Sequence, residues 1–211
     1  MVRLILARHG ETAWNAEGRY QGQADVVLNE TGRQQAAALR RRLAEEEIHA
    51  VYASDLQRAW KTAAVIAEPH GLPVRSDPRL REIDFGAWDG LTYGEIGQRY
   101  PQALAAWEAD PLSAGPPEGE NLSQVTTRVQ TALDDIVRVH QDQTVLLVAH
   151  GGSLQVLLCL ALGLVPRARW QFYLGAASLS ELRLYEDGAV LVHLNDSCHL
   201  AVVDDEDWWS P

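Results

Sequence analysis

Arg8-His9-Gly10-Glu11-Thr12 follows directly on the apolar run Val2 to Ala7. A short β-prone run that ends in a Gly-bearing polar turn reads as a buried parallel strand delivering its last side chains into a crevice. The delivered set is a fixed cation, a titratable ring and a residue small enough to let a ligand approach, which suits an anionic substrate and a histidine doing chemistry. The pattern recurs far downstream, where Val145-Leu146-Leu147-Val148-Ala149 runs into His150-Gly151-Gly152. If the two strands are neighbours, two imidazoles stand side by side. Neutral imidazole is a competent nucleophile toward phosphorus near pH 7, and a phosphorylated imidazole is in turn labile to water. Arg8 offers phosphoryl oxygens a fork geometry that lysine cannot reproduce.

Arg58 is the second cation, four residues after Ser54 in the first turn of a predicted helix. The helix dipole disfavours a cation there unless an anion sits nearby, and the free N–H groups of the helix start would serve the same anion. The bland alternative is a surface arginine paired with Asp55. Phosphoryl transfer to His9 also needs an acid for the leaving alkoxide and then a base for water, a group worth roughly 10²–10⁴-fold in rate. Glu82 and Asp84 both qualify, and spacing alone does not choose between them. Metal chemistry is the rival use of seven histidines. The chain has no H-E-x-x-H and no Cys/His pair at zinc spacing, so neither a metal nor a cofactor is expected. His49, His70 and His140 read as solvated; His193 and His199 read as structural. Phosphate-loop, dinucleotide and nucleophile-elbow signatures are absent from the sequence.

These side chains need elements to hold them. The pattern predicts strand 2–8, a loop to 30, helix 31–46, strand 50–54, helix 55–69 and a short strand near 73–76. Thr31-x-x-Gln34 and Ser54-x-x-Gln57 read as capping boxes opening the two helices. An irregular stretch follows Leu80, then a helix around 92–107. A Pro- and Gly-bearing loop from Asp110 to Asn121 is a candidate lid. A helix to about His140, strand 144–149 and helix 153–162 come next. The Glu186-Asp187-Gly188 turn joins strands 178–185 and 189–195 in a hairpin. Alternating strands and helices with one late hairpin predict a three-layer α/β/α fold, its sheet mostly parallel with an antiparallel edge. Residues 1–204 read as one domain, and 205–211 as an acidic tail carrying Trp208-Trp209.

At 211 residues with 46% hydrophobic content, one compact α/β domain is the default. The net charge of −11 argues against a nucleic-acid partner, since a phosphate backbone demands clustered Lys and Arg. No run is apolar enough to span a bilayer, and the chain opens on a strand and not on a signal sequence, so no membrane is expected. Cys159 and Cys198 form no C-x-x-C pair and read as reduced thiols in a cytoplasmic protein. The edge hairpin and the Trp-rich tail would suit a homodimer.

Taken together, the motifs resemble the histidine phosphatase superfamily, with its phosphoglycerate-mutase-like fold. The likeness rests on Arg8-His9-Gly10-Glu11-Thr12 with Asn15, on Arg19-Tyr20-Gln21-Gly22, Asp25 and Leu28, and on Ser54-Asp55-Leu56-x-Arg58-Ala59 with Thr62. Glu82-x-x-x-Gly86-x-Trp88-x-Gly90, Gly119-Glu120, Ala149-His150-Gly151-Gly152 and Asn195-Asp196-x-x-His199-Leu200 complete it in order. The resemblance implies that His9 is the phosphorylated nucleophile and that Arg8, Arg58 and His150 form the phosphate pocket. It implies Glu82, not Asp84, as proton donor and later base. Gly10, Asn15, Gln21 and Gly22 would border the phosphate, and the Gly151 N–H would face it.

Mutases of this family need a second anionic subsite, supplied by basic residues after the acid. Between Ile83 and Ala149 this chain has only Arg99, Arg128 and Arg138 and no lysine. That scarcity favours a metal-independent phosphomonoesterase acting on a small phosphorylated metabolite. The alternatives are a mutase and a non-catalytic phosphate-binding module. The layout resembles the family's phosphoserine, α-ribazole-phosphate and broad-specificity phosphatases. Phosphoserine-specific relatives carry a His where Phe85 stands, so an apolar or aromatic leaving group is favoured. Phe85, Trp88 and Trp14 are the candidate lining of the specificity side.

Overall fold

The computed structural model describes residues 1–201. The expected tail at 205–211, with Trp208 and Trp209, lies outside the described residues. In chain order the elements are β1 (Val2–Arg8), α1 (Ala13–Ala16), α2 (Glu30–Leu43), β2 (Ala50–Ala53), α3 (Gln57–Ala67) and β3 (Val74–Ser76). They continue with α4 (Tyr93–Arg99), α5 (Pro101–Ala109), α6 (Leu122–Val139), β4 (Thr144–Ala149), α7 (Gly151–Ala161), β5 (Leu179–Tyr185) and β6 (Gly188–Asp196). The six strands form one sheet in the order β3-β2-β4-β1-β5-β6. The first four are parallel to one another; β5 runs antiparallel to β1, and β6 antiparallel to β5. Among the described residues no helix is long and apolar enough to cross a membrane.

Strand side chains alternate between two cores, as period-2 geometry requires. Leu4 and Leu6 of β1 join Val145 and Leu147 of β4 under α6 and α7, where Val125, Val129, Leu154 and Leu157 pack. Ile5 and Ala7 with Leu146 and Val148 face the opposite way, onto Leu39 and Leu43 of α2 and Ala63 and Ile66 of α3. Helices therefore cover both faces, and every residue of β4 is buried. The expected three-layer arrangement with an antiparallel edge is what the chain adopts.

Several local expectations are corrected. Helix α2 is capped not by Thr31 but by Asn29, whose side chain accepts from the Gly32 amide at 2.8 Å; the Thr31-Gln34 box does not form. The Ser54-Gln57 box does not form either. Helix α3 starts at Gln57, whose amide is capped by Asp25 Oδ1 at 2.8 Å, a carboxylate from far away in sequence. The helix expected over 92–107 is two helices. Tyr100, held at φ −133° ahead of Pro101, breaks the hydrogen-bond ladder, and the proline opens the second helix. The first loop contains the short α1, capped reciprocally by Thr12 and Asn15. His140 is buried, not solvated: Tyr52 Oη lies 3.0 Å from its Nε2 and Gln143 Oε1 2.6 Å from its Nδ1.

Candidate active site

Strands β1 and β4 are adjacent and parallel, with Arg8 paired to Ala149. The chain leaves β1 toward α2 and β2 on one side, and leaves β4 toward α7 and β5 on the other. Connections diverging from neighbouring strands open a crevice at their carboxyl ends. His9 and His150, the next residues along each strand, fall into that crevice with ring centroids 5.0 Å apart and planes tilted by 60°.

His9 is buried, and its Nδ1 lies 2.7 Å from the Gly10 carbonyl oxygen. A carbonyl only accepts, so Nδ1 carries the proton and Nε2 keeps a lone pair. Burial, then the charges of Arg58 and Arg8, push the His9 ring well below the ordinary imidazole value. His150 is fully buried, neither ring nitrogen has a protein partner, and burial followed by Arg58 likewise pushes it well down. Gly10 fits because a side chain there would meet the Gly32 carbonyl oxygen at 2.4 Å, where α2 abuts the loop.

Arg58 is not the surface arginine of the bland alternative. It is 0% exposed and donates to the carbonyls of Ala24 (2.8 Å) and Gly22 (2.7 Å), while Asp55 pairs with Arg81 instead. The orientation of the Gln21 amide follows from its partners. Its nitrogen donates to Thr12 Oγ1 at 2.6 Å, and its oxygen accepts from Arg58 Nε at 3.1 Å. Burial lowers Arg58 to about 10, against the pull of Glu82, Asp25 and Asp89. Arg8 donates to the Leu174 carbonyl at 2.7 Å, and burial lowers it too, against the pull of Glu82.

Glu82 sits across the start of α7. Its Oε1 accepts from the amides of Ile83 (2.8 Å) and Ser153 (3.2 Å), and its Oε2 from Gly152 (2.9 Å). A side chain on Gly151 would come 3.7 Å from Arg8 Nε and 3.8 Å from Glu82 Oε2, which places Gly151 between cation and acid. The backbone behind Glu82 is anchored by Arg128. That guanidinium donates to the carbonyls of Arg79, Arg81 and Glu82 and pairs with Glu120, whose carboxylate accepts from the Asp84 amide. The 110–121 loop is stitched to the same segment. The Ala87 amide donates to Pro117 O, and that of Glu120 to Asp84 O, so the loop buttresses the acid.

The remaining expected residues separate. Asn15 caps α1 beside Thr12, and Gln21 touches Arg58 directly. The Gly22 amide donates to Asp89 Oδ1 at 2.7 Å, so Gly22 meets the site through its carbonyl and not through a free N–H. Trp88 is corrected outright: it is 0% exposed inside the core, stacked edge-on to Trp107. Phe85 is half-buried against Tyr20, and Trp14 packs over Gly90. The scaffolding residues Arg128, Asp89 and Thr62, the last accepting from the Gly10 amide, were invisible as positions of contact. Gly119-Glu120 was the only sequence signal for the first of them. Among the described residues no group of three His, Cys, Asp or Glu is placed to hold a metal ion.

The "Histidine phosphatase superfamily (branch 1)" family matches residues 4–197. Phosphoserine phosphatase 1 of Hydrogenobacter thermophilus is 38% identical over 200 residues, 95% of each chain. The crystal structure of the α-ribazole phosphatase of Shigella flexneri superposes with a TM-score of 0.86 at 31% identity, over 92% of this chain and 96% of that one. A mycobacterial glucosyl-3-phosphoglycerate phosphatase in complex with VO3 gives 0.83 at 36% identity, over 92% and 99%.

Proposed function

The chain belongs to the histidine phosphatase superfamily, branch 1, and from that premise we propose that it is a metal-independent phosphomonoesterase acting on a small phosphorylated metabolite in the cytoplasm. The observation that carries the reading is His9: neutral, with its proton on Nδ1, its Nε2 lone pair free, its ring 5.0 Å from that of His150 and the charges of Arg58 and Arg8 close by. Nε2 attacks phosphorus, the P–O ester bond breaks, and a proton from the Glu82 carboxyl goes to the leaving alkoxide. Water then gives a proton back to Glu82 as its oxygen attacks phosphorus; the P–N bond breaks, and inorganic phosphate leaves neutral His9 behind. Oε2 of Glu82 accepts one backbone N–H against two on Oε1, so it is the oxygen with room for the transferred proton. Two guanidiniums and His150 match the charge spread over the equatorial oxygens of a metaphosphate-like transition state. A phosphate-binding module without catalysis would have no use for an acid held on three amides.

The test is phosphate release in EDTA from p-nitrophenyl phosphate, phosphoserine, α-ribazole phosphate, sugar phosphates and 3-phosphoglycerate. Turnover without added metal, an acid-labile phosphoenzyme on rapid quench, and a loss of roughly 10³-fold or more in His9→Ala are expected. Release by His9→Ala at the unmodified rate would overturn the covalent mechanism.

A further inference from the structure

Helices α2 and α3 share one core on the same face of the sheet, through Leu39, Leu43, Ala63 and Ile66. On their outer sides lies a hollow of about 410 Å³. Helix α2 lines it with Arg33 and Ala36, one turn apart, and α3 with Lys61 and Ala64, again one turn apart. An alanine on each wall leaves space that a larger side chain would fill. Val27 and Leu28, from the loop ahead of α2, close the remaining side. Arg33 and Lys61 are the only polar residues of the lining, and both are exposed, so the cations stand at the rim of an apolar hollow.

The charge around it is unlike that of the molecule. The chain carries −11, yet α2 and α3 hold six cations against Glu30 alone. Glu30 pairs with Arg33, whose Nη1 also donates to the Leu28 carbonyl at 3.1 Å; Glu68 and Glu46, just outside the helices, pair with Arg40 and Arg42. Lys61, the only lysine in the sequence, has no carboxylate partner among the described residues. The hollow is separate from the catalytic pocket. Arg58 and Thr62 lie on the buried side of α3, where Thr62 accepts from the Gly10 amide, and neither lines the hollow. A concavity of this size suits one small molecule, since small-ligand pockets run from roughly 300 to 1,000 Å³ while a protein partner covers about 800 Å² a side. An apolar lining with cations at its rim calls for an apolar body with an anionic end.

We propose that the hollow between α2 and α3 is a second ligand site, which takes a small amphiphilic anion such as a medium-chain carboxylate. The alkyl chain covers the alanines and the Val27-Leu28 wall, and the head group meets Lys61. The site stands apart from the phosphomonoesterase reading, and its test needs no turnover.

Calorimetric titration with octanoate, hexanoate and octanol tests it, with and without saturating vanadate. Octanoate is expected to bind one to one, and equally well with vanadate present. Hexanoate, shorter by two methylenes, should bind about tenfold more weakly. Lys61→Glu should weaken octanoate by about fivefold or more while changing octanol by less than about twofold. Ala64→Leu, which fills the hollow, should weaken octanoate and octanol alike. Octanoate should also slow acylation of Lys61 by an amine reagent, read by mass on the peptide that carries this one lysine. Absence of saturable binding, displacement of octanoate by vanadate, unchanged octanoate affinity in Lys61→Glu or Ala64→Leu, or unaltered Lys61 acylation overturns the site. Should either variant fail to fold, the vanadate comparison and the shielding of Lys61 in the unmodified protein decide.

Discussion

His9 and His150 are both held well below the ordinary imidazole value, by burial first and by the neighbouring guanidiniums second. The folded protein therefore stays unprotonated at both rings in a range where the unfolded chain, titrating near 6.5, binds protons. Stability rises with pH wherever the unfolded state holds more protons, so this contribution is intact above about 6.5 and is lost as pH falls from there toward the depressed folded values. Well below 6.5 the cost of each ring approaches about 1.4 kcal/mol per pH unit, and a melting series from pH 7.5 to 5.5 is expected to show Tm falling. By the same token the acid limb of kcat/KM, which reports the free nucleophile, should lie below 6.5. A limb at 7 would mean that His9 is not the titrating base. Arg8, His9 and His150 were legible because each closes an apolar strand, a pattern with a direct geometric meaning. Arg128 was not, because it works through backbone carbonyls, and only its partner in Gly119-Glu120 stood out in the sequence.

Elements place these groups through glycines that differ in what they protect. A methyl on Gly152 would come 2.4 Å from Glu82 Oε1 and 2.8 Å from an Ile83 side-chain carbon, whereas one on Gly22 would strike the Ile83 carbonyl and the Phe85 amide at 2.6 and 2.7 Å. Side chains yield more cheaply than backbone. Gly152→Ala is expected to keep its fold but lose tenfold or more in kcat as Glu82 is displaced. Gly22→Ala should instead lower Tm by several degrees, from an overpacking penalty of roughly 1–3 kcal/mol. Equal Tm for the two variants would refute the distinction. The mostly parallel sheet and the hairpin were readable from apolar runs and a Glu-Asp-Gly turn. Helix starts were not, since both relevant caps come from residues the local pattern does not favour: Asn29 two residues early, and Asp25 from another segment. The Tyr100-Pro101 break was readable in principle, because the residue before proline avoids helical geometry.

The molecule as a whole carries −11 yet gathers two guanidiniums and two imidazoles at one point. The two guanidiniums repel one another beside the neutral rings, and a bound anion relieves that repulsion, which couples occupancy to stability. At a hundred times the dissociation constant, phosphate or vanadate should stabilise the fold by about 2.7 kcal/mol, several degrees in Tm for a chain of this size. Millimolar vanadate that changed neither Tm nor activity would remove the pocket from the proposed mechanism. The sheet order has a further consequence, in the time domain of synthesis. Strand β4 lies between β1 and β2, although both precede it in the chain. A nascent polypeptide that has emerged only as far as Gln143 has already delivered His9, Arg58 and Glu82, but their two strands have no bridge between them. About two thirds of the chain must therefore be made before β1 and β2 can join one sheet. His150 joins His9 only when β4 has been made, and until then β1 and β2 present unpaired strand edges, the surface that makes partly folded chains prone to aggregate.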